Sequence, residues 1–103
     1  MKLRTGMALA AVMATTMTTA FAQGADLYKT KCQMCHGATG MGDSPAGKAM
    51  KVKPITDPDV KKLTEAEMIA ATQKGMGKMQ PFKDKLTGAQ IKDAVGHFRT
   101  FLK

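Results

Sequence analysis

The chain has no tryptophan and one tyrosine, and aromatic residues make up only 5% of it. It has two cysteines, too few for a dense disulfide scaffold. Acidic side chains are scarce, 8 against 16 basic ones, for a formal net charge of +8. No heptad pattern is sustained, which excludes a coiled coil, and no set of long apolar runs exists, which excludes a polytopic membrane protein. No stretch alternates with strand period over a useful length, and there are no repeats or low-complexity tracts. At 103 residues there is room for one small domain and not for a multidomain enzyme. The hydrophobic fraction of 44% is ordinary, but part of it sits in the first segment.

That first segment reads as an address. Lys2 and Arg4 make a positive start, residues 6–19 carry no charge, and residues 7–14 are fully apolar. Ala20-Phe21-Ala22 then places small residues at the two positions a signal peptidase reads, so a cut is expected after Ala22. An N-terminal membrane anchor is the alternative, but the uncharged run is short and four threonines dilute its end. No cysteine lies near the cut, which argues against a lipid anchor. The expected organisation is a cleaved signal peptide at residues 1–22 and one domain at 23–103, with no stable membrane insertion after cleavage. The mature chain of 81 residues keeps 14 basic and 8 acidic groups and six of the ten methionines. A core that small usually needs a staple such as a disulfide, a metal or a large bound group.

Residues 25–35 predict a first helix, with good helix formers and no internal Gly or Pro. Residues 36–56 are rich in Gly, Lys, Met and Pro, and read as a long ordered loop of the kind that wraps something. Asp57-Pro58 predicts a cap and a short helical turn to Lys62. Thr64-Glu65-Ala66-Glu67 is a capping box, with Leu63 and Met68 as its hydrophobic staple, and its helix should run to about Lys74 and stop at Gly75. Residues 75–82 form a loop by their glycines and proline. Thr87-Gly88-Ala89-Gln90 is a second capping box, with Leu86 and Ile91 as staple, and Ile91, Ala94, Val95, Phe98 and Leu102 then make one apolar helical face. The outline is all-α: three main helices with long loops and a thin core.

Both cysteines fall in Cys32-Gln33-Met34-Cys35-His36, the C-x-x-C-H attachment signature of c-type haem. Two thiols add across the haem vinyl groups to become thioethers, and the adjacent His36 can reach the iron. A redox disulfide is a competing reading of C-x-x-C, but no βαβ pattern surrounds it and the histidine is left unexplained. A zinc site would need two further ligands, for which only His97 is a distant candidate.

With these residues in view, the mature chain resembles small bacterial monohaem cytochromes c of class I over nearly its whole length. Gly24 and Tyr28 stand eight and four residues before Cys32, where the family has a small residue and an aromatic that pack on the last helix. Gly37-Ala38-Thr39-Gly40 follows the histidine as in many bacterial members, and Gly77-Lys78-Met79-Gln80-Pro81-Phe82 is similar to the family's Gly-Lys-Met-Pro-x-aromatic segment. The proline is one position later here. The resemblance implies a small cytochrome c fold wrapped around one covalent haem c and its iron. It implies His36 and Met79 as axial ligands, Cys32 and Cys35 as thioethers, and a proline-region carbonyl accepting from the His36 ring, for which Pro45 is preferred to Pro54. Tyr28, Phe82, Leu86, Val95 and Phe98 are expected around the haem.

Among the mature methionines, Met34, Met41, Met50 and Met68 are expected to pack or face solvent, and Met76 is the fallback ligand in the same loop as Met79. Bis-histidine ligation through His97 is the less favoured alternative, since His97 falls where the family has an aromatic packing on the first helix. Methionine ligation raises the reduction potential. The implied function is one-electron carriage in the bacterial periplasm, not enzymic turnover. The expected partners are redox proteins, a donor complex and a terminal oxidase or reductase, with the protein itself a monomer. Lys74, Lys78, Lys83 and Lys85 flank the Met79 loop, and a positive ring there would favour acidic partners. A generic solvated surface explains the same lysines equally well. Nucleic acid is a poor partner, because the chain reads as exported and its basic residues lack interleaved aromatics for base stacking. The rivals are an accessory haem subunit of a larger redox enzyme, a gas-binding haem sensor with a labile sixth ligand, and a haem-free thiol–disulfide protein.

Overall fold

The computed structural model describes residues 20–102. The expected signal segment lies outside the described residues, apart from 20–22, which open the first helix. Six α-helical segments follow in chain order: α1 (Ala20–Leu27), α2 (Gln33–His36), α3 (Pro45–Met50), α4 (Pro58–Lys61), α5 (Glu65–Lys74) and α6 (Gly88–Arg99). A π-helical turn, Tyr28–Cys32, joins α1 to α2. No strand occurs among the described residues; a single antiparallel bridge pairs Met76 with Met79.

The helical run around the cysteines therefore starts before residue 25 and is not uniformly α. The wider turn has a local cause. The Thr30 hydroxyl donates back to the Asp26 carbonyl at 2.9 Å and to the Leu27 carbonyl at 3.4 Å, competing with the helix's own bonds. The Gln33 N–H reaches back five residues to the Tyr28 carbonyl.

The loop expected over residues 36–56 contains a helix. Ser44 caps α3, its hydroxyl accepting from the Gly47 N–H at 3.0 Å, and Pro45 takes the first helical position. The same hydroxyl donates to the Met34 carbonyl at 2.5 Å. Gly47 is buried where any Cβ would collide with the Cys35 carbonyl, so α3 packs directly on the backbone of α2.

Both capping boxes form as the sequence predicts. Thr64 and Glu67 exchange bonds of 2.9 and 3.1 Å, as do Thr87 and Gln90. α5 stops at Gly75. α6 buries Ile91, Ala94 and Val95. Met68, Phe82, Leu86, Ile91 and Val95 form the core, with Leu63 and Phe98 packed against it. α1 crosses α6 at Gly24, where a Cβ would meet the Asp93 carbonyl and the His97 side chain.

Candidate functional site

One cleft of about 810 Å³ opens between the cysteine-bearing helix, the stretch after α3, α5, the Met loop and α6. That volume is in the range of cofactor sites, roughly 300–1,000 Å³. Cys32, Cys35 and His36 lie on one wall, with Tyr28 beside them. α5 contributes Met68, Ala71 and Thr72, α6 contributes Ala94, Val95 and Phe98, and Met76, Met79 and Phe82 come from the loop between those helices. The lining is mostly apolar, and Tyr28, Phe82 and Val95 in it are buried.

The Met loop is fixed at both ends. Gly75 N–H donates to the Ala71 carbonyl at 2.8 Å, and Phe82 N–H to the Thr72 carbonyl at 2.9 Å. Between them Met76 and Met79 exchange backbone bonds of 3.1 and 3.0 Å, closing a tight turn with Gly77 in the left-handed region at φ 59°. The turn separates the two methionines: Met76 is 61% exposed, whereas Met79 is half-buried against the core.

His36 sits at the end of α2, its ring 5.2 Å from that of Phe98. Burial holds its imidazole below the ordinary value, which favours the neutral form that binds metals. Its Nδ1 is buried with no hydrogen-bond partner. The expected bond to the Pro45 carbonyl is not made, and Pro45 does not line the cleft. Pro45 is exposed at the first position of α3, where the helix's own bonding pattern engages its carbonyl.

Burial, with a contribution from Cys35, pushes the Cys32 thiol up to about 11. That is the reverse of the lowered value that makes a C-x-x-C thiol a redox nucleophile, so the thiol–disulfide reading loses support. Two thiols, a neutral imidazole and a half-buried thioether around one apolar cleft are a donor set that fits a covalently held haem.

One further expectation is corrected by position: Leu86 is buried in the core but is not part of the cleft lining. His97 lies off the cleft, 5.2 Å from both Tyr28 and Phe101, and packs α6 on α1, the packing role the sequence favours over ligation. Of the four lysines expected around the Met loop, only Lys78 lines the cleft; Lys31, Lys51 and Lys53 join it instead. Sequence reading passed over Met68 and Thr72 as cleft residues. Their signal was the spacing of Met68, Ala71 and Thr72 along one face of α5.

The sequence matches the family described as cytochrome C oxidase, cbb3-type, subunit III, over residues 19–97. The fold is similar to that of KustC0563 c-type cytochrome, with a TM-score of 0.68 and 30% identity, covering 76% of this chain and 95% of that one. A point mutant of Kustc0563 matches with a TM-score of 0.67 and 28% identity, covering 77% of this chain and 98% of that one. A chain of the Kuenenia stuttgartiensis reducing HAO-like protein complex Kustc0457/Kustc0458 shares the fold, with a TM-score of 0.67 and 20% identity over 82% of this chain and 44% of that one. No curated protein matches the sequence.

The all-helical architecture around this cleft is the small cytochrome c fold. The chain belongs to the Cytochrome_CBB3 family of c-type cytochrome domains, which carry covalently bound haem c with its iron and serve electron transfer with redox partners.

Proposed function

We propose that the protein is a periplasmic one-electron carrier with a single haem c, held through Cys32 and Cys35 thioethers and ligated by His36 and Met79. The observation that carries this reading is the convergence of those four residues on one apolar cleft. The haem iron, when bound, supplies a one-electron Fe(III)/Fe(II) couple. Cys32 and Cys35 anchor the group in a domain too small to hold it by packing alone. His36 presents a neutral imidazole, and Met79 offers a soft thioether that favours the reduced iron. Phe82, Val95 and Phe98 keep water from the cleft, and Tyr28 ties the attachment helix to the turn after His36. His36 and Met79 would together hold the iron and leave no place on it for a substrate, which suits carrying electrons rather than turning over a substrate.

The reading includes a signal peptide at residues 1–22, a mature domain at 23–103, and a monomer that meets acidic redox partners. Lys31 and Lys78 on the cleft support the partner chemistry. No helix among the described residues is long and apolar enough to cross a membrane. A second reading has the same haem site in a subunit docked to a larger oxidase or reductase. The family description, which names an oxidase subunit, favours it.

The test is the visible spectrum, oxidised and reduced, of protein matured in a haem-attaching periplasm, beside Met79→Ala. Wild type should show c-type reduced bands and the weak far-red ferric band of sulfur ligation, and the variant should lose that band. Survival of the band in Met79→Ala overturns Met79 as ligand. Ready uptake of carbon monoxide by the reduced wild type at neutral pH would instead favour a gas-binding site. Co-purification from the native host with a stoichiometric larger enzyme would replace the free shuttle with the docked subunit.

A further inference from the structure

We infer that Lys51 and Lys53 are the cationic partners of the haem propionates, an inference that rests on the haem reading above. Four lysines line the cleft: Lys31, Lys51, Lys53 and Lys78. Lys31 adjoins Cys32, and Lys78 lies in the turn with Met79. Those two therefore mark the thioether edge and the sixth-ligand side. The two propionate carboxylates of haem lie on the edge of the macrocycle away from the vinyl positions. Thioethers to Cys32 and Cys35 consequently direct both carboxylates away from Lys31. Lys51 and Lys53 come from the stretch between α3 and α4, which belongs to neither the attachment helix nor the Met turn.

That stretch is held in place. Val52 N–H donates to the Gly47 carbonyl at 2.9 Å and Ile55 N–H to the Gly40 carbonyl at 2.8 Å, with Ile55 fully buried. Lys51 ends α3 in the left-handed conformation, φ 57°, with its N–H on the Gly47 and Lys48 carbonyls. Glycine is the residue such a position usually takes. Here a cationic side chain occupies it and borders the cleft.

Lys53 is paired with a carboxylate in the structure. Its Nζ lies 3.2 Å from Asp59 Oδ2, while Asp59 Oδ1 is also 3.3 Å from Lys62. Both members of the Lys53–Asp59 pair are more than half exposed, so the pair is weak and Lys62 can hold Asp59 when Lys53 turns to a propionate. A cation on a propionate offsets a negative charge near the iron and so favours the reduced state.

The test is potentiometric titration of the holoprotein and of Lys51→Gln, Lys53→Gln and Lys92→Gln. Lys92 is exposed on α6 and outside the cleft, so its variant controls for the loss of one positive charge. Glutamine keeps most of the side-chain stem. The potentials of Lys51→Gln and Lys53→Gln should fall below wild type by more than that of Lys92→Gln. Shifts equal to the control overturn the inference. Asp59→Asn should raise the potential in wild type and raise it less in the Lys53→Gln background. An equal rise in both removes Lys53 from the pairing. Haem attachment is read separately from the reduced spectrum of each protein. Wild type that matures without haem overturns the underlying reading, whereas normal haem bands with control-sized shifts overturn this inference alone.

Discussion

The Tyr28 hydroxyl donates a 2.5 Å hydrogen bond to the Gly37 carbonyl, joining the residue four before Cys32 to the one after His36. The bond brackets the whole attachment motif. Tyr28 is 2% exposed, and its ring stacks on Phe98 at 6.1 Å and meets Phe101 edge-on at 5.4 Å. Burial raises the hydroxyl above its ordinary range, so it stays a neutral donor. One side chain thus clamps the motif and docks it on α6.

Tyr28→Phe keeps the ring contacts and removes the donor, leaving the Gly37 carbonyl with only the long 3.4 Å bond from the Gly40 N–H. The expected loss is about 0.5–1.5 kcal/mol. Thermal unfolding of the holoprotein should show it as a fall of roughly 4–8 °C for each kcal/mol in a domain of this size. A midpoint within a degree or two of wild type would show that the clamp contributes little.

Gly24 and Gly96 make a controlled pair. A Cβ on Gly24 collides with the Asp93 backbone carbonyl across the α1–α6 crossing, and backbone cannot move aside as a side chain can. A Cβ on Gly96 meets nothing within 4 Å. Gly24→Ala should cost at least about 1–3 kcal/mol through overpacking. Gly96→Ala should be neutral or should stabilise by up to ~1 kcal/mol, because alanine is the better helix former. Denaturant titration of both separates the two cases. Equal effects would mean that the helix crossing is looser than the backbone approach requires.

The legible parts of this fold are those written in short-range pattern. The two capping boxes and the stop of α5 at Gly75 depend on residues within a few positions of one another, and all three are found where the sequence places them. Cys32-x-x-Cys35-His36 announces its chemistry in the same way. What stayed hidden depends on contacts distant in the chain. α3 has a capping serine and a first-turn proline, but Gly47 argues against a helix until the Cys35 carbonyl is seen packed on it. Leu86 and the lysines around Phe82 depend on which side of the Met loop faces the cleft, which no local pattern reports. Pro45 has a suitable chain distance from His36, yet its helix decides where its carbonyl points.

The Thr64–Glu67 capping box should appear in the pH dependence of stability. Hydrogen bonds from the Thr64 backbone, then its side chain, hold the Glu67 carboxyl below its ordinary value. The unfolded chain therefore binds the proton first as pH falls. The box contributes fully above the ordinary glutamate pKa, and its contribution is lost as pH drops through that value to the lower folded one. Glu67→Gln keeps an acceptor and removes the titration. Stability measured at neutral and at acidic pH should converge more for this variant than for wild type. An unchanged acid slope would assign the pH dependence to other carboxylates, Asp59 with its two lysines among them.

Gly75 and Gly77 both hold positive φ in the Met loop, and they should respond very differently to a side chain. Gly75 stands at φ 81° and ψ 160°, a region essentially reserved for glycine. A Cβ there lies 2.8 Å from the Met79 carbonyl and 3.0 Å from the Pro81 nitrogen. Gly77 is at φ 59° with open space around it. Asparagine tolerates that left-handed conformation. Gly75→Ala should therefore cost about 1–3 kcal/mol in backbone strain alone. Because the collision falls on Met79 itself, it should also weaken or abolish the far-red ferric band. Gly77→Asn should leave both the band and the unfolding midpoint close to wild type. If Gly75→Ala keeps the band at full strength, the Met79 thioether is positioned by something other than this turn. If Gly77→Asn loses it, the loop must close more tightly over the haem than the open space at Gly77 indicates.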